Sequence, residues 1–194
     1  LAGLQAGDDI AILGCGPVGL VTLKAALLRG AHRIFITDRI EARLGLASRH
    51  ENVIPIHIDK TDVNQVILDQ TKGRGVDLVF DACGAPGSVA QAVELAAIGG
   101  KVILIGIPAD DFVSFDSHIC RRKELALLAV RRFKHNYWKC ISALATGRIT
   151  LKDMISHNFT IEEIEKPFHL VEQYQDTDAA KMLVDRNTVS ELAG

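Results

Sequence analysis

The stretch Gly14-Cys15-Gly16-Pro17-Val18-Gly19 decides how the rest of this chain is read. It follows directly on the apolar run Ile10-Ala11-Ile12-Leu13 and opens a helical stretch, Val18–Arg29. A second apolar run, Ile34-Phe35-Ile36-Thr37, is closed by Asp38. Strand, glycine turn, helix, strand and terminal acid stand in the order and spacing of a mononucleotide-binding βαβ unit. Gly14 permits the tight turn out of the first strand, Gly16 leaves no side chain between backbone and pyrophosphate, and Gly19 lets the helix pack close to the strand. Pro17 suits the first helical turn, where a missing N–H costs nothing. The helix then offers free N–H groups and its dipole to a pyrophosphate. Asp38 would accept hydrogen bonds from ribose hydroxyls and repel a 2′-phosphate, favouring NAD over NADP. Arg39 and Arg43 soften that preference, because arginines can hold such a phosphate. The competing reading of Asp38 is a helix N-cap.

Working outward, six short apolar runs recur: Ile10–Leu13, Arg33–Thr37, Asn52–Ile56, Asp77–Phe80, Lys101–Ile105 and Leu125–Val130. Most are continuous rather than alternating, as in strands of a parallel sheet covered on both faces. Helical stretches lie between them at Val18–Arg29, Ile40–Arg49, Asp62–Thr71 and Gly87–Ala97, while Gly106–Glu124 shows no helical period and reads as irregular. The alternation predicts an α/β fold, a Rossmann doubly wound six-stranded parallel sheet of order 3-2-1-4-5-6. Pro55 fits that order, because strand 3 is an edge, where a residue without an N–H is tolerated. Strand 6 is the other edge, and 125–130 contains neither proline nor, after Glu124, any charge. Such an edge invites pairing with a second copy, so a homo-dimer or tetramer through this strand is expected.

Residues 135–146 read as a helix ended by Gly147 in a left-handed cap. Thr160-x-x-Glu163 is a capping box that places a helix start at Ile161, and Pro167 should kink that helix or reset its start. Lys181–Val184 reads as a last strand. The expected organisation is an NAD-binding domain over 1–147 and a helical and strand tail over 148–194.

Composition narrows the function classes. Of 194 residues, 48% are hydrophobic and 24% charged, enough for a substantial core, and the net charge of −2 comes with no basic block that would fit a nucleic acid. No apolar run is long enough for a membrane span. Cys15, Cys83, Cys120 and Cys140 have no C-x-x-C spacing and read as reduced, mostly buried thiols of a cytoplasmic protein. The seven histidines show no metal-ligand spacing, so no metal site is expected in this chain. No G-x-S-x-G elbow supports hydrolase chemistry. Asp81, at the end of strand 4, reads as a structural hydrogen-bonding group before a proton carrier. Cys83-Gly84 and Ile105-Gly106-Ile107 stand where strands 4 and 5 end, the side of an open α/β sheet on which ligands bind.

Taken together, Ala2–Asp8, Ile10–Gly19, Asp77–Gly84, Gly99–Val102 and Arg121–Glu124 resemble the zinc-dependent medium-chain alcohol dehydrogenases. The likeness is nearest to their polyol, sorbitol dehydrogenase-like branch, through Thr37-Asp38 with Arg43 and through Val130-Arg131-Arg132-Phe133. The resemblance implies that Val18, Asp38 and Arg43 contact the adenosine and phosphate side of NAD. It places Ile105, Gly106 and Ile107 along the nicotinamide, with Val130, Arg131 and Arg132 closing over it. It also implies that Arg132 and Phe133 touch a polyol, although phenylalanine lacks the phenol hydroxyl found in sorbitol dehydrogenases. Such enzymes carry an N-terminal catalytic domain that supplies the zinc ligands; this sequence reads as the other portion, with zinc present only in the full-length enzyme. The tail would then pack on that domain, and the chain alone would be inactive. The implied reaction is hydride transfer between a secondary alcohol, sorbitol-like, and NAD. The alternatives are a dehydrogenase for threonine or a simple secondary alcohol, and a non-catalytic NAD-binding sensor.

Overall fold

The computed structural model describes residues 2–133, 135–172 and 182–185. Strands β1 (Asp9–Leu13), β2 (Arg33–Asp38), β3 (Val53–His57), β4 (Val76–Asp81), β5 (Ala96–Leu104) and β6 (Ala126–Ala129) form one sheet. Its pairs are all parallel and its order is β3-β2-β1-β4-β5-β6, as the sequence predicts. Helices α1 (Pro17–Leu28), α2 (Glu41–Ala47), α3 (Val63–Gln70), α4 (Ser88–Leu95) and α5 (Ser117–Arg122) connect the strands, and α6 (Tyr137–Ala145) follows them.

The continuous apolar runs are explained by two core layers. Ile10, Ile12, Ile34 and Ile36 point to one face, against Leu20 and Leu23 of α1 and Leu44 of α2. Their strand neighbours Ala11, Leu13 and Phe35 point to the other, against Val63 and Ile67 of α3 and Val93 of α4. Both faces of β1 are therefore dry, and all five of its residues are buried. Pro55 sits on the edge strand β3, where its missing N–H breaks no interior ladder.

Local boundaries depart from the expectation where a side chain intervenes. Ala96 and Ala97, expected to end a helix, belong to β5. Helix α4 stops at Leu95 because Lys123 Nζ donates to the carbonyls of Val93 (3.3 Å), Glu94 (2.6 Å) and Ala96 (2.9 Å), satisfying its last acceptors. The segment expected to be irregular, 106–124, contains α5; the Asp116 carboxylate caps it by accepting from the N–H groups of His118 (2.7 Å) and Ile119 (3.2 Å). Six residues are too few to display a period. The cysteines are not mostly buried: Cys15 is, Cys120 is half-buried, and Cys83 and Cys140 are exposed, the last on a helix with no buried residue.

Beyond α6, Gly147 adopts φ +69° as a left-handed cap. The chain then returns to the sheet: Met154 is buried in the first core layer, and Asp153 binds Lys24 of α1 at 2.6 Å. The Thr160–Glu163 capping box is present, but it opens a 3-10 turn, Ile161–Glu163. Pro167 lies in the first turn of α7 (Glu165–Glu172), so it resets the helix start. An unforeseen strand, β7 (His157–Thr160), pairs in parallel with β8 (Met182–Asp185), which covers most of the expected 181–184 strand; Lys181 lies outside the described residues.

At the amino ends of the strands, Asp9 joins three loops. Its carboxylate, 5% exposed, meets Arg33 Nη2 at 2.5 Å, Arg74 Nη2 at 2.9 Å and His32 Nδ1 at 2.9 Å. Its own N–H donates to Asp77 (2.9 Å), which Arg74 also binds at 2.6 Å. Burial pushes the Asp9 carboxyl up, but the hydrogen bonds from Arg33, His32 and Arg74 and the charge of Arg33 outweigh it and hold the pKa at about 2. A depressed acid contributes stability above its unfolded pKa, near 4, and loses that contribution as the pH falls towards 2. Asp9→Asn should cost about 2–3 kcal/mol at pH 7 by urea denaturation, with a smaller loss of stability between pH 4 and pH 2 than wild type shows. An unchanged acid limb would show that another group carries it.

A pair of glycines fixes the carboxyl ends of β4 and β5. A Cβ on Gly106 would lie 2.2 Å from Gly84 N, and one on Gly84 2.7 Å from the Ile107 carbonyl. Gly45, inside α2, has nothing within 4 Å of its Cβ position. Gly106→Ala is expected to lower stability by more than about 1 kcal/mol. Gly45→Ala should raise it by about 0.5–1 kcal/mol, since it meets no clash and removes backbone freedom from the unfolded chain. Thermal melts of the two variants read both signs.

Candidate dinucleotide site

The strand order reverses direction at β1, so the loops after β1 and β4 diverge and leave a crevice at the carboxyl edge of the sheet. A cleft of about 940 Å³ lies there. One wall is the glycine loop and the first turn of α1; the second is the end of β2 and the loop after it; the third is the loop after β4 and the start of α4.

The first wall is built by close approach. Gly14 turns out of β1 at φ +102°, a conformation that L side chains rarely adopt. A Cβ on Gly19 would fall 1.9 Å from the Gly14 carbonyl oxygen, so α1 can begin flush against the strand end only with glycine there. Gly16 is the N-cap and supplies no capping side chain, Pro17 follows it, and the first turn holds no acid. The N–H groups and positive dipole end of a twelve-residue helix are thus left to whatever enters the cleft.

Asp38 forms the second wall and ties it to the first. Its Oδ2 accepts from the Cys15 N–H at 2.8 Å and its Oδ1 from the Ile40 N–H at 3.0 Å. The N-cap of α2 is Ile40, so Asp38 is not that cap. The carboxylate is half-buried and retains acceptor capacity towards the cleft. Beneath it, the Cys15 thiol donates to the Arg43 carbonyl at 3.2 Å. Burial, then the Asp38 charge, pushes that thiol up to about 12, so Cys15 is a neutral packing group. Arg43 is 5% exposed and lines the cleft from below.

Asp81 organises the third wall. Only 2% exposed, it accepts from the N–H groups of Cys83 (3.2 Å) and Gly84 (3.0 Å), the Ser88 hydroxyl (3.0 Å) and the Cys83 thiol (3.3 Å). Its carbonyl also accepts from the N–H groups of Ile105 (2.9 Å) and Gly106 (2.8 Å). Those contacts occupy it fully, which is the structural role expected. Cys83 is exposed as a residue, yet its sulfur is sheltered: desolvation, with a smaller push from Asp81, raises the thiol to about 11.

Gly14, Gly16, Pro17, Val18, Asp38, Arg43 and Cys83 therefore meet around one cleft. Gly19 lies behind it, and Gly84 lies at the junction with Gly106. Ile105 and Gly106 are half-buried at the end of β5, and Ile107 is 90% exposed. Past β6, Val130 is half-buried, while Arg131, Arg132 and Phe133 are exposed and Phe133 packs edge-on to Tyr137 at 4.7 Å. None of these last seven lines the cleft. Sequence reasoning missed Ile40 and Ile58 on the second wall and Pro86, Ser88 and Gln91 on the third. The signal was positional: Ile40 and Ile58 stand just after β2 and β3, while Pro86 lies in the loop after β4 and Ser88 and Gln91 in the first turn of the helix it opens.

Among the described residues, no three of His, Cys, Asp or Glu converge to hold a metal ion, so a zinc site does not fit them. No helix among them is long and apolar enough to cross a membrane.

Residues 17–147 match the sequence model of the zinc-binding dehydrogenases. An L-threonine 3-dehydrogenase of Bacillus velezensis is 34% identical over 172 residues, 88% of this chain and 50% of that protein. The sorbitol dehydrogenase of Bacillus subtilis is 29% identical over 184 residues, 95% of this chain and 52% of that protein. A zinc-binding dehydrogenase structure from Sinorhizobium meliloti 1021, bound to NADP, superposes with a TM-score of 0.85 at 27% identity, over 94% of this chain and 54% of that one. The chain spans about half the length of the relatives it matches. With its doubly wound sheet and glycine-loop cleft, the chain belongs to the zinc-binding dehydrogenase family and corresponds to that family's cofactor-binding portion.

Proposed function

We propose that this chain binds NAD as the cofactor portion of a zinc-type alcohol or polyol dehydrogenase. The observation that carries the reading is the uncapped start of α1 facing the 940 Å³ cleft, with the Asp38 carboxylate beside it. The α1 N–H groups would hold the pyrophosphate. Asp38 would accept from the ribose hydroxyls, and Ile40 and Ile58 would flank the adenine. Arg43 would add positive charge below the phosphates. Ile105, Gly106, Ile107, Val130, Arg131 and Arg132 would extend the site towards the nicotinamide, and Arg132 with Phe133 would border the alcohol. When bound, the nicotinamide ring supplies the acceptor or donor of a hydride. The part of these residues is to hold and aim that ring; no step is assigned to zinc, because the described residues do not form its site.

The substrate reading is a secondary alcohol, with a polyol favoured by Thr37-Asp38, Arg43 and the Val130–Phe133 segment. The Bacillus velezensis relative favours threonine instead. Turnover assays of the full-length enzyme over polyols and threonine separate the two. The exposed apolar residues of α6, Tyr137, Trp138, Ile141 and Leu144, lie just before the 148–194 tail and support a reading in which this end of the chain packs on a second domain.

Calorimetry with NAD and NADP tests the site directly, and absence of binding at about millimolar NAD to the folded chain would overturn the reading. Asp38→Ala should weaken NAD about tenfold or more, the scale of a hydrogen bond to a charged group. It also frees the Cys15 N–H, which loosens the loop for both cofactors alike. The ribose role therefore predicts that NAD loses more affinity than NADP, and equal losses refute it. We also propose that β6 pairs with β6 of a second copy, since Ala126–Ala129 leaves its outer edge free of charge and proline. Light scattering should then return about twice the 21.1 kDa chain mass, and a monomer at micromolar concentration would exclude it.

A further inference from the structure

We infer that Asp59, which does not itself line the cleft, helps decide which dinucleotide is accepted by withholding Arg39 from a 2′-phosphate. This rests on the reading of Asp38 as the ribose ligand. Among the described residues, the cleft has two basic residues on its walls, Arg39 and Arg43. Arg43 is 5% exposed, with its backbone held by the Cys15 thiol under the glycine loop. Arg39 is the exposed cation of the rim, next in sequence to Asp38, and is the group that a phosphate on the ribose 2′-oxygen would meet.

Arg39 already faces a carboxylate: its Nη2 lies 3.6 Å from Asp59 Oδ1. The turn that presents Asp59 is fixed from several sides. The Ile58 N–H donates to the Asp38 carbonyl at 3.1 Å, and the Asp59 N–H donates to His57 Nδ1 at 3.3 Å. Lys60 binds Glu41, in the first turn of α2, at 2.7 Å. The Ile58–Asp38 and Lys60–Glu41 contacts latch the loop after β3 to the loop after β2 without the Arg39–Asp59 side-chain pair. That exposed pair adds little to stability, so its consequence lies in the field at the rim. Set apart from the buried Arg43, the side chains of Asp38, Asp59 and Arg39 carry one net negative charge between them. NAD brings only a hydroxyl to this place and leaves the pair intact. A 2′-phosphate brings two further negative charges and finds the nearest guanidinium engaged. Without the Asp59 charge, Arg39 is free to turn to the phosphate and the rim is neutral.

The test is calorimetry with NAD, and with NADP by competition, on the chain carrying Asp59→Asn, Arg39→Ala or both. Asp59→Asn should lower the preference for NAD over NADP about threefold or more, the scale of an exposed ion pair released and a like charge removed. In the Arg39→Ala background the same change should move the preference far less, because there is no cation left to release. An unchanged preference in Asp59→Asn, or an equal shift with and without Arg39, overturns the inference. Asp59→Ser is the second variant, and circular dichroism confirms that each is folded. A wild-type chain that binds neither cofactor would remove the site reading and this inference together. A wild type that binds NAD and answers to Asp38→Ala, but shows no effect at Asp59, would remove this inference alone.

Discussion

Helix α1 can lie flush on the end of β1 because two backbones touch there. With any Cβ at position 19 the helix would be pushed off the Gly14 carbonyl, its first turn would leave the cleft, and Lys24 would lose its register with Asp153 and Met154 of the tail. The contact does more than close a turn. It aims a helix start that has no capping side chain into the open cleft, where its first N–H groups stay available. Just ahead of that helix, the Cys15 N–H is held by Asp38, and that bond joins the glycine loop to the next strand. The cleft is thus a rigid corner made by main-chain contact and one carboxylate.

Two acids end neighbouring strands of β1, and their surroundings give them different parts. Asp81 is almost fully buried and its lone pairs are taken by two N–H groups, a hydroxyl and a thiol. It fixes the loop after β4 and, through its carbonyl, the end of β5. Asp38 is half-buried, accepts from two N–H groups, and still lines the open cleft. The same side chain, at the same end of a strand, is a scaffold in one place and a candidate ligand group in the other. What separates them is solvent access and the number of donors already satisfied. At the far end of the sheet Asp9 is a third case, a buried acid kept ionised by two guanidinium groups and a histidine, remote from the cleft.

Much of this was legible in the chain. The order of the sheet followed from continuous apolar runs, from Pro55 on an edge, and from the glycine spacing. The Gly14–Gly19 loop and Asp38 were legible because their chemistry is local: a turn, a helix start and a strand end lie within one βαβ unit. Boundaries were lost where a distant side chain set them. Lys123 stops α4 from almost thirty residues away, and no window around Leu95 contains that information. Helix α5 was lost because a single capped turn and a half has no period. Ile58, Ser88 and Gln91 were missed because they carry no motif; they reach the cleft by standing where β3 and β4 deliver them.

The sequence by itself determined the fold class, the strand order and the place of the glycine loop between β1 and α1. Those depend on backbone conformation and on apolar periodicity, which are properties of neighbouring residues. The tertiary structure decided which polar groups are spent and which remain available. Asp38 is shared between loop and cleft, Asp81 is consumed, the Cys15 thiol is silenced by burial, and Arg39 is drawn to Asp59 across two loops. Partner choice of that kind depends on distances between residues far apart in the chain and on the water removed from between them, and only the packed sheet sets either one.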